Sequence, residues 1–222
     1  MTGADLPFDD RRHAGRVLAE KLSHYFGHAN LLVLALPRGG VAVGFEVARA
    51  LQAPLDVFVV RKLGFPGHQE YAMGAIASGG VRVMTPRPGL SVTPGEVAEV
   101  VARELAELRR REHIYHCSKR PALSLRGRTV IVVDDGLATG ATMRAAVMAM
   151  GRQHPARLVI AVPVGPQETC QALRDEADEV VCAASPQPFR AVGLWYKNFP
   201  QASDAEVNTL LEKARREHEP SI

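Results

Sequence analysis

Two adjacent carboxylates, Asp134 and Asp135, stand between an apolar run, "TVIVV" (129–133), and a stretch of small residues, "GLATGATM" (136–143). Vicinal carboxylates can accept hydrogen bonds from two neighbouring sugar hydroxyls, or hold a hydrated magnesium ion, which prefers carboxylate and water oxygen. In the following "ATGAT" no side chain is larger than threonine. A helix beginning near Gly140 would converge its first amides with the hydroxyls of Thr139 and Thr142, at a point where the helix dipole favours a phosphate. A diol reader beside a phosphate cradle has the shape of a ribose 5-phosphate. The plainer alternative is a strand-to-helix turn in which Asp caps and Gly turns the chain. Gly136 and Gly140 are too close for a Walker A loop and no Lys follows, and no GxGxxG succeeds a strand.

A second loop, Leu36-Pro37-Arg38-Gly39-Gly40, offers backbone amides for a diphosphate and one guanidinium able to bind it bidentately. An ordinary turn is again the alternative. Arg61 and Lys62 follow another apolar run; they suit a polyanionic sugar diphosphate or form a solvated basic pair. After them, "LGFPGHQEY" is rich in Gly and reads as a loop over 62–72, long enough to close over a site and shed water.

These residues need a frame. Apolar runs at 31–36, 55–60, 129–133, 157–164 and 179–183 alternate with segments of helical spacing. Continuously apolar strands separated by helices imply a parallel sheet covered on both faces, whose ligands sit beyond the carboxyl ends of the strands. The reading is one domain over 1–222, with an amphipathic helix at about 10–26 preceding the first strand. An insertion at 61–120 holds the flexible loop, a hairpin ("MGAIASGGVRVM") and a long helix capped by Thr93, Pro94 and Glu96; a tail runs over 184–222. The tail gathers Phe189, Trp195, Tyr196 and Phe199 in a chain that is only 5% aromatic. Either they pack the tail onto the sheet, or they form a hood whose faces stack on a flat acceptor.

The 222 residues, 46% hydrophobic, suffice for a full core. A formal charge of +3, spread along the chain, argues for a small anionic ligand over nucleic acid or membrane. The acidic N-terminal decapeptide and the lack of any apolar run near 18 residues give the expectation of a soluble, cytoplasmic protein. Three cysteines, without CxxC spacing, argue against a disulfide framework or a zinc site, and His113 and His116 lack further ligands nearby.

"VIVVDDGLATGATM" resembles the phosphoribosyl-diphosphate signature of type I phosphoribosyltransferases at nearly every position. The resemblance implies a Rossmann-like parallel sheet flanked by helices, with a small hood. It assigns the ribose hydroxyls to Asp134 and Asp135, and the 5-phosphate to Ala138, Thr139, Gly140, Ala141 and Thr142. "LALPRGGVAVGFEVA" is similar to the family's diphosphate loop, which implies roles for Arg38, Gly39 and Gly40 and a cis peptide between Pro37 and Arg38. Adenine phosphoribosyltransferases are similar in carrying Arg-Lys after the same strand and Glu-Tyr in a mobile loop, here Arg61, Lys62, Glu70 and Tyr71. Hypoxanthine-guanine enzymes place an acid where this chain has Ala138, so a general base must come from Glu70 or His68. The implied reaction is magnesium-dependent, the ion resting on Asp134 and Asp135 through water. Ribose 5-phosphate passes from 5-phosphoribosyl 1-diphosphate to a nitrogen nucleophile, a nucleobase first among candidates, as in nucleotide salvage. Catalysis falls to Asp134, Asp135, Arg38 and Glu70, and acceptor binding to Tyr71, Trp195 and Tyr196; a homodimer is compatible with the resemblance. A regulator that binds the sugar diphosphate without transfer, and a hydrolase that passes the ribosyl group to water, are the alternatives.

Overall fold

The computed structural model describes residues 6–66, 68–84, 92–115 and 124–218, with backbone alone for 68–71. Five parallel strands form the central sheet: β1 (Leu31–Ala35), β2 (Leu55–Val57), β6 (Thr129–Val133), β7 (Arg157–Val164) and β8 (Glu179–Ala184), in the order β2-β1-β6-β7-β8. Alternate residues of each strand serve opposite faces, as the pleat dictates. Val33, Ala35, Ile131 and Val133 join one apolar cluster; Leu32, Leu34, Val130 and Val132 join the other. This is why the inner strands β1, β6 and β7 are apolar over nearly their whole length, neither face meeting water, whereas the edge strand β8 is only half-buried.

Helices α1 (Arg11–Lys21), α2 (Gly40–Leu51) and α6 (Asp204–His218) cover the first face, and α4 (Ala141–Gly151) and α5 (Gln167–Ala172) the second. α1 lies unusually close to α2, since a Cβ on Gly15 would come within 2.8 Å of the Val43 carbonyl oxygen. Between them Glu46, buried, receives Arg12 Nε at 2.9 Å and Arg49 Nη2 at 2.5 Å. A buried carboxylate is tolerable only with such partners, so the triad fixes the azimuth of α1.

The insertion builds a second, antiparallel sheet from β3 (Val60–Phe65), β4 (His68–Ala77) and β5 (Val81–Met84). The expected hairpin turn is present, with Gly79 and Gly80 at φ +82° and +74°, the positive values a tight hairpin turn demands. The 62–72 segment differs from expectation. In place of a loop it pairs as β3 and the start of β4, with Lys62 opposite Ala75 and Leu63 opposite Gly74. Its glycine marks a register shift at Gly64, while Leu63 and Phe65 alternate into the core. The apolar run 55–60 also divides: it pairs in the central sheet only to Val57, and Val60 already belongs to the second sheet.

The long helix α3 (Pro94–Tyr115) packs on β3, β4 and α6. Its start is the capping box read from the sequence: Glu96 N–H donates to Thr93 Oγ1 at 3.3 Å, and Thr93 N–H to Glu96 Oε2 at 2.9 Å. Among the described residues, no helix is long and apolar enough to cross a membrane.

Candidate active site

β1 and β6 are neighbours, so the loops leaving their carboxyl ends emerge side by side. The β1 loop carries Pro37, Arg38 and Gly39 into α2, with a cis peptide between Pro37 and Arg38. The β6 loop carries Asp134 to Gly140 into α4. The two loops are pressed together to a degree only glycine allows: a Cβ on Gly39 would lie 1.9 Å from Asp135 Oδ2, and one on Gly40 2.9 Å from Asp134 Cα. The β1 loop and the acid pair are thus one surface.

The β6 loop is shaped by its contacts. Gly140, at φ +71°, is the N-cap of α4 and offers no side chain to its first-turn amides, which have no partners within the helix. Thr169 Oγ1 donates to the Ala138 carbonyl at 3.1 Å and holds the loop from α5. A cleft of about 210 Å³ runs along Asp134, Thr139, Gly140 and Thr142, with Val192 as its far wall. A wider hollow of about 540 Å³ between α2 and α6 reaches Gln52, at the amino-end edge of the sheet away from these loops.

Val192 belongs to the hood, which comes from both ends of the chain. Phe8 N–H donates to the Trp195 carbonyl and Lys197 N–H to the Phe8 carbonyl, each at 2.8 Å. Phe8, Tyr196, Phe189, Trp195 and Phe199 form a separate apolar cluster over β7. Tyr196 is buried against Phe8 and Phe199, and its hydroxyl donates to the Asp135 carbonyl oxygen at 2.5 Å. Burial, with the Asp135 charge nearby, raises the affinity of that phenol for its proton. Its ring is committed to packing. Trp195 keeps an indole N–H that is buried without a partner among the described residues.

Asp135 also receives Arg11, whose Nε lies 2.8 Å from Oδ2. The sequence reading had no place for this residue, although a signal existed. Cations at the amino end of a helix oppose the dipole, and α1 opens with Arg11 and Arg12 and no acid in its first turn. Each is there for a distant carboxylate, Asp135 and Glu46.

Asp134 has its proton affinity raised well above that of an ordinary carboxylate, first by burial and then by the charge of Asp135; the Asp135 N–H, donating to Asp134 Oδ1 at 2.8 Å, opposes the shift. Arg38, partly exposed, lies near the end of α3, where Tyr115 donates to Asp204 Oδ1 at 2.7 Å. Burial and that carboxylate push the Tyr115 hydroxyl up to about 12, against the nearby Arg111 and Arg38. Of the two cations after β2, Lys62 is exposed, whereas Arg61 donates through Nε and Nη2 to Glu104 Oε2 of α3 at 2.9 and 2.7 Å. The structure therefore brings together Arg38, Gly39, Gly40, Asp134, Asp135 and the 138–142 loop. The side chains of His68, Glu70 and Tyr71 lie outside the described residues.

With this geometry in view, the comparisons with known proteins are concordant. The family profile of the phosphoribosyl transferase domain matches residues 10–193. A Mycobacterium tuberculosis protein, provisionally named a phosphoribosyl transferase in strains H37Rv and CDC 1551, is 48% identical over 213 residues, covering 95% of this chain and 47% of the relative. The chain thus spans about half the length of the curated relatives it matches. A Thermus thermophilus protein of known crystal structure is 43% identical with a TM-score of 0.84, over 93% of this chain and 98% of that one.

Proposed function

The chain belongs to the phosphoribosyl transferase domain family, and from that premise we propose that it transfers ribose 5-phosphate from 5-phosphoribosyl 1-diphosphate to a nitrogen nucleophile, a nucleobase first among candidates, releasing diphosphate. The observation that supports the proposal is the contact of Gly39 and Gly40 with the acid pair, which sets the loop after β1 directly against Asp134 and Asp135. In this reading Asp134 and Asp135 fix the ribose hydroxyls and the 138–142 loop fixes the 5-phosphate. Arg38 neutralises the departing diphosphate, and Lys62 is the exposed cation after β2, since Arg61 is already paired with Glu104. Such a site accelerates by positioning, and by stabilising separated charge in place of water.

Magnesium fits the donor set in a limited way. Asp134 and Asp135 supply hard oxygen, but Asp135 Oδ2 is engaged by Arg11, and no cluster of three or more metal-ligating side chains occurs among the described residues. That pattern suits an ion held chiefly by substrate phosphates and water, resting on Asp134 and Asp135. When bound, it would offset the negative charge of the diphosphate. Trp195, with its indole N–H unpartnered among the described residues, is our candidate contact for the acceptor, together with Tyr71 and Glu70 from the sequence. Tyr196 serves the acceptor indirectly, by bracing the hood on Asp135.

Calorimetry with the sugar diphosphate and magnesium tests the binding half of the proposal. We expect a micromolar constant, about −8 kcal/mol; absence of heat at protein concentrations of about 100 µM, which would report even −6 kcal/mol, would overturn it. Mass spectrometry of products from a panel of nitrogenous bases tests the transfer half. A ribosylated base supports it, ribose 5-phosphate alone indicates transfer to water, and binding without turnover indicates a regulator.

A further inference from the structure

One guanidinium joins the parts of this site. Arg11 Nε lies 2.8 Å from Asp135 Oδ2, its Nη1 donates to the Pro200 carbonyl at 2.7 Å, and its Cζ stands 3.7 Å above the centre of the Phe199 ring. A Cβ on Gly39 would be 3.2 Å from its Nε, so it also borders the diphosphate loop. The pair is largely withdrawn from solvent, with side-chain exposures of 12% for Arg11 and 17% for Asp135. Of the side chains a helix can offer, only arginine does all this: a planar fork donates in two directions while its face stacks on an aromatic ring.

We infer that Arg11 is a positioning residue for ribose recognition, holding Asp135 Oδ2 so that Oδ1 is turned to the sugar only while the hood is docked. The inference rests on the phosphoribosyl reading above. Two adjacent carboxylates repel, and a free Asp135 would rotate between hydration and its neighbour's field. Arg11 removes that freedom by occupying one oxygen and supplying the compensating charge. Because the same guanidinium is bound to Pro200 and Phe199, the orientation of Asp135 and the docking of the tail become a single event. The position of Arg11 is in turn set by α1, which Arg12–Glu46 and the Gly15 contact lock onto α2. The 138–142 loop makes none of these contacts and is held instead by Thr169 of α5; the hood reaches its cleft through Val192, so phosphate binding depends on the hood less than ribose recognition does.

That separation supplies the test. Affinities for ribose 5-phosphate and for inorganic phosphate are measured by competition on wild type, Arg11→Ala, Asp135→Asn and the double variant, with the fluorescence of Trp195, the chain's one tryptophan, reporting the hood. We expect Arg11→Ala to weaken ribose 5-phosphate about tenfold or more, to leave phosphate within about twofold, and to shift the emission of Trp195. The double variant should be no weaker than Asp135→Asn alone, because Arg11 acts through that carboxylate. Should Arg11→Ala lack a cooperative thermal transition, Arg11→Lys, which keeps the charge but not the fork, is expected to show the same split between the ligands. Equal loss of both ligands, unchanged ribose 5-phosphate affinity, or additive effects in the double variant would overturn the role of Arg11. Failure of wild type to bind either ligand would overturn the phosphoribosyl reading as well, and so tells the two apart.

Discussion

The two sides of the acid pair are built by opposite means. On the loop side, one short run leads from Val133, which ends a strand, to Gly140, which caps a helix, with Thr169 and Gly39 bracing it from outside. On the hood side nothing is local. Arg11 reaches Asp135 across 124 residues of sequence, Tyr196 reaches its carbonyl across 61, and Lys197 reaches Asp9 across 188. On the reading proposed above, backbone geometry would recognise the anion, while side chains from distant elements orient Asp135. The first kind of site is rigid because its glycines leave no alternative packing. The second is rigid only while its partners remain assembled.

The largest expected effect falls where the two sides touch. Gly39→Ala places a methyl carbon where Asp135 Oδ2 now stands, so the loops must part. We expect sugar-diphosphate affinity to fall about 100-fold, about 2.7 kcal/mol, in calorimetry. A loss under about threefold would show that the loop side yields as readily as the hood, and the contrast would disappear. A smaller effect belongs to Tyr196→Phe, which removes only the hydroxyl that braces the hood on Asp135. One hydrogen bond contributes about 1 kcal/mol net, so the melting temperature should drop by about 2–4 °C. Ribose 5-phosphate should weaken by a few-fold while inorganic phosphate is unaffected.

The smallest effect sharpens the electrostatic side of the comparison. The folded-state proton affinity of Asp134 is raised above its unfolded value. A raised carboxylate contributes its stability fully below the unfolded pKa and loses it as pH rises through the folded one. The ligand-free wild type should therefore lose stability, relative to Asp134→Asn, on going from about pH 4 toward neutrality, in paired thermal scans. A difference that stays constant with pH would mean that the pair's charges are already fully compensated by Arg11 and the loop amides.

This division also explains what could be read in advance. The parallel sheet, the capping box at Thr93, the Ser-Gly-Gly turn and the helix beginning after Gly140 were all legible, because each announces itself in short runs of residues. The 62–72 segment was not. Its Gly and Pro suggested a loop, but the alternation of Leu63 and Phe65 found a pairing partner in β4, and tertiary pairing overrode local composition. Arg61 looked like a free cation because its acid, Glu104, lies 43 residues away on α3. Phe8 and Arg11 were invisible for the same reason, save for the one local oddity of basic residues at the head of a helix.

The bridge between Phe8 and Tyr196 has a consequence for how the molecule comes into being. Chains are synthesised from the amino end and fold as they emerge, and contacts between residues far apart in sequence form last. Phe8 and Arg11 leave the ribosome early and must wait until residues 195–200 exist to receive them. By then the β6 loop, whose ties to Gly39, Gly40 and Thr169 all come from residues made earlier, can already be in place. On the phosphoribosyl reading proposed above, a chain that stops short of residue 195 would hold a phosphate without reading the sugar attached to it, and discrimination would arrive only with residues 195–200.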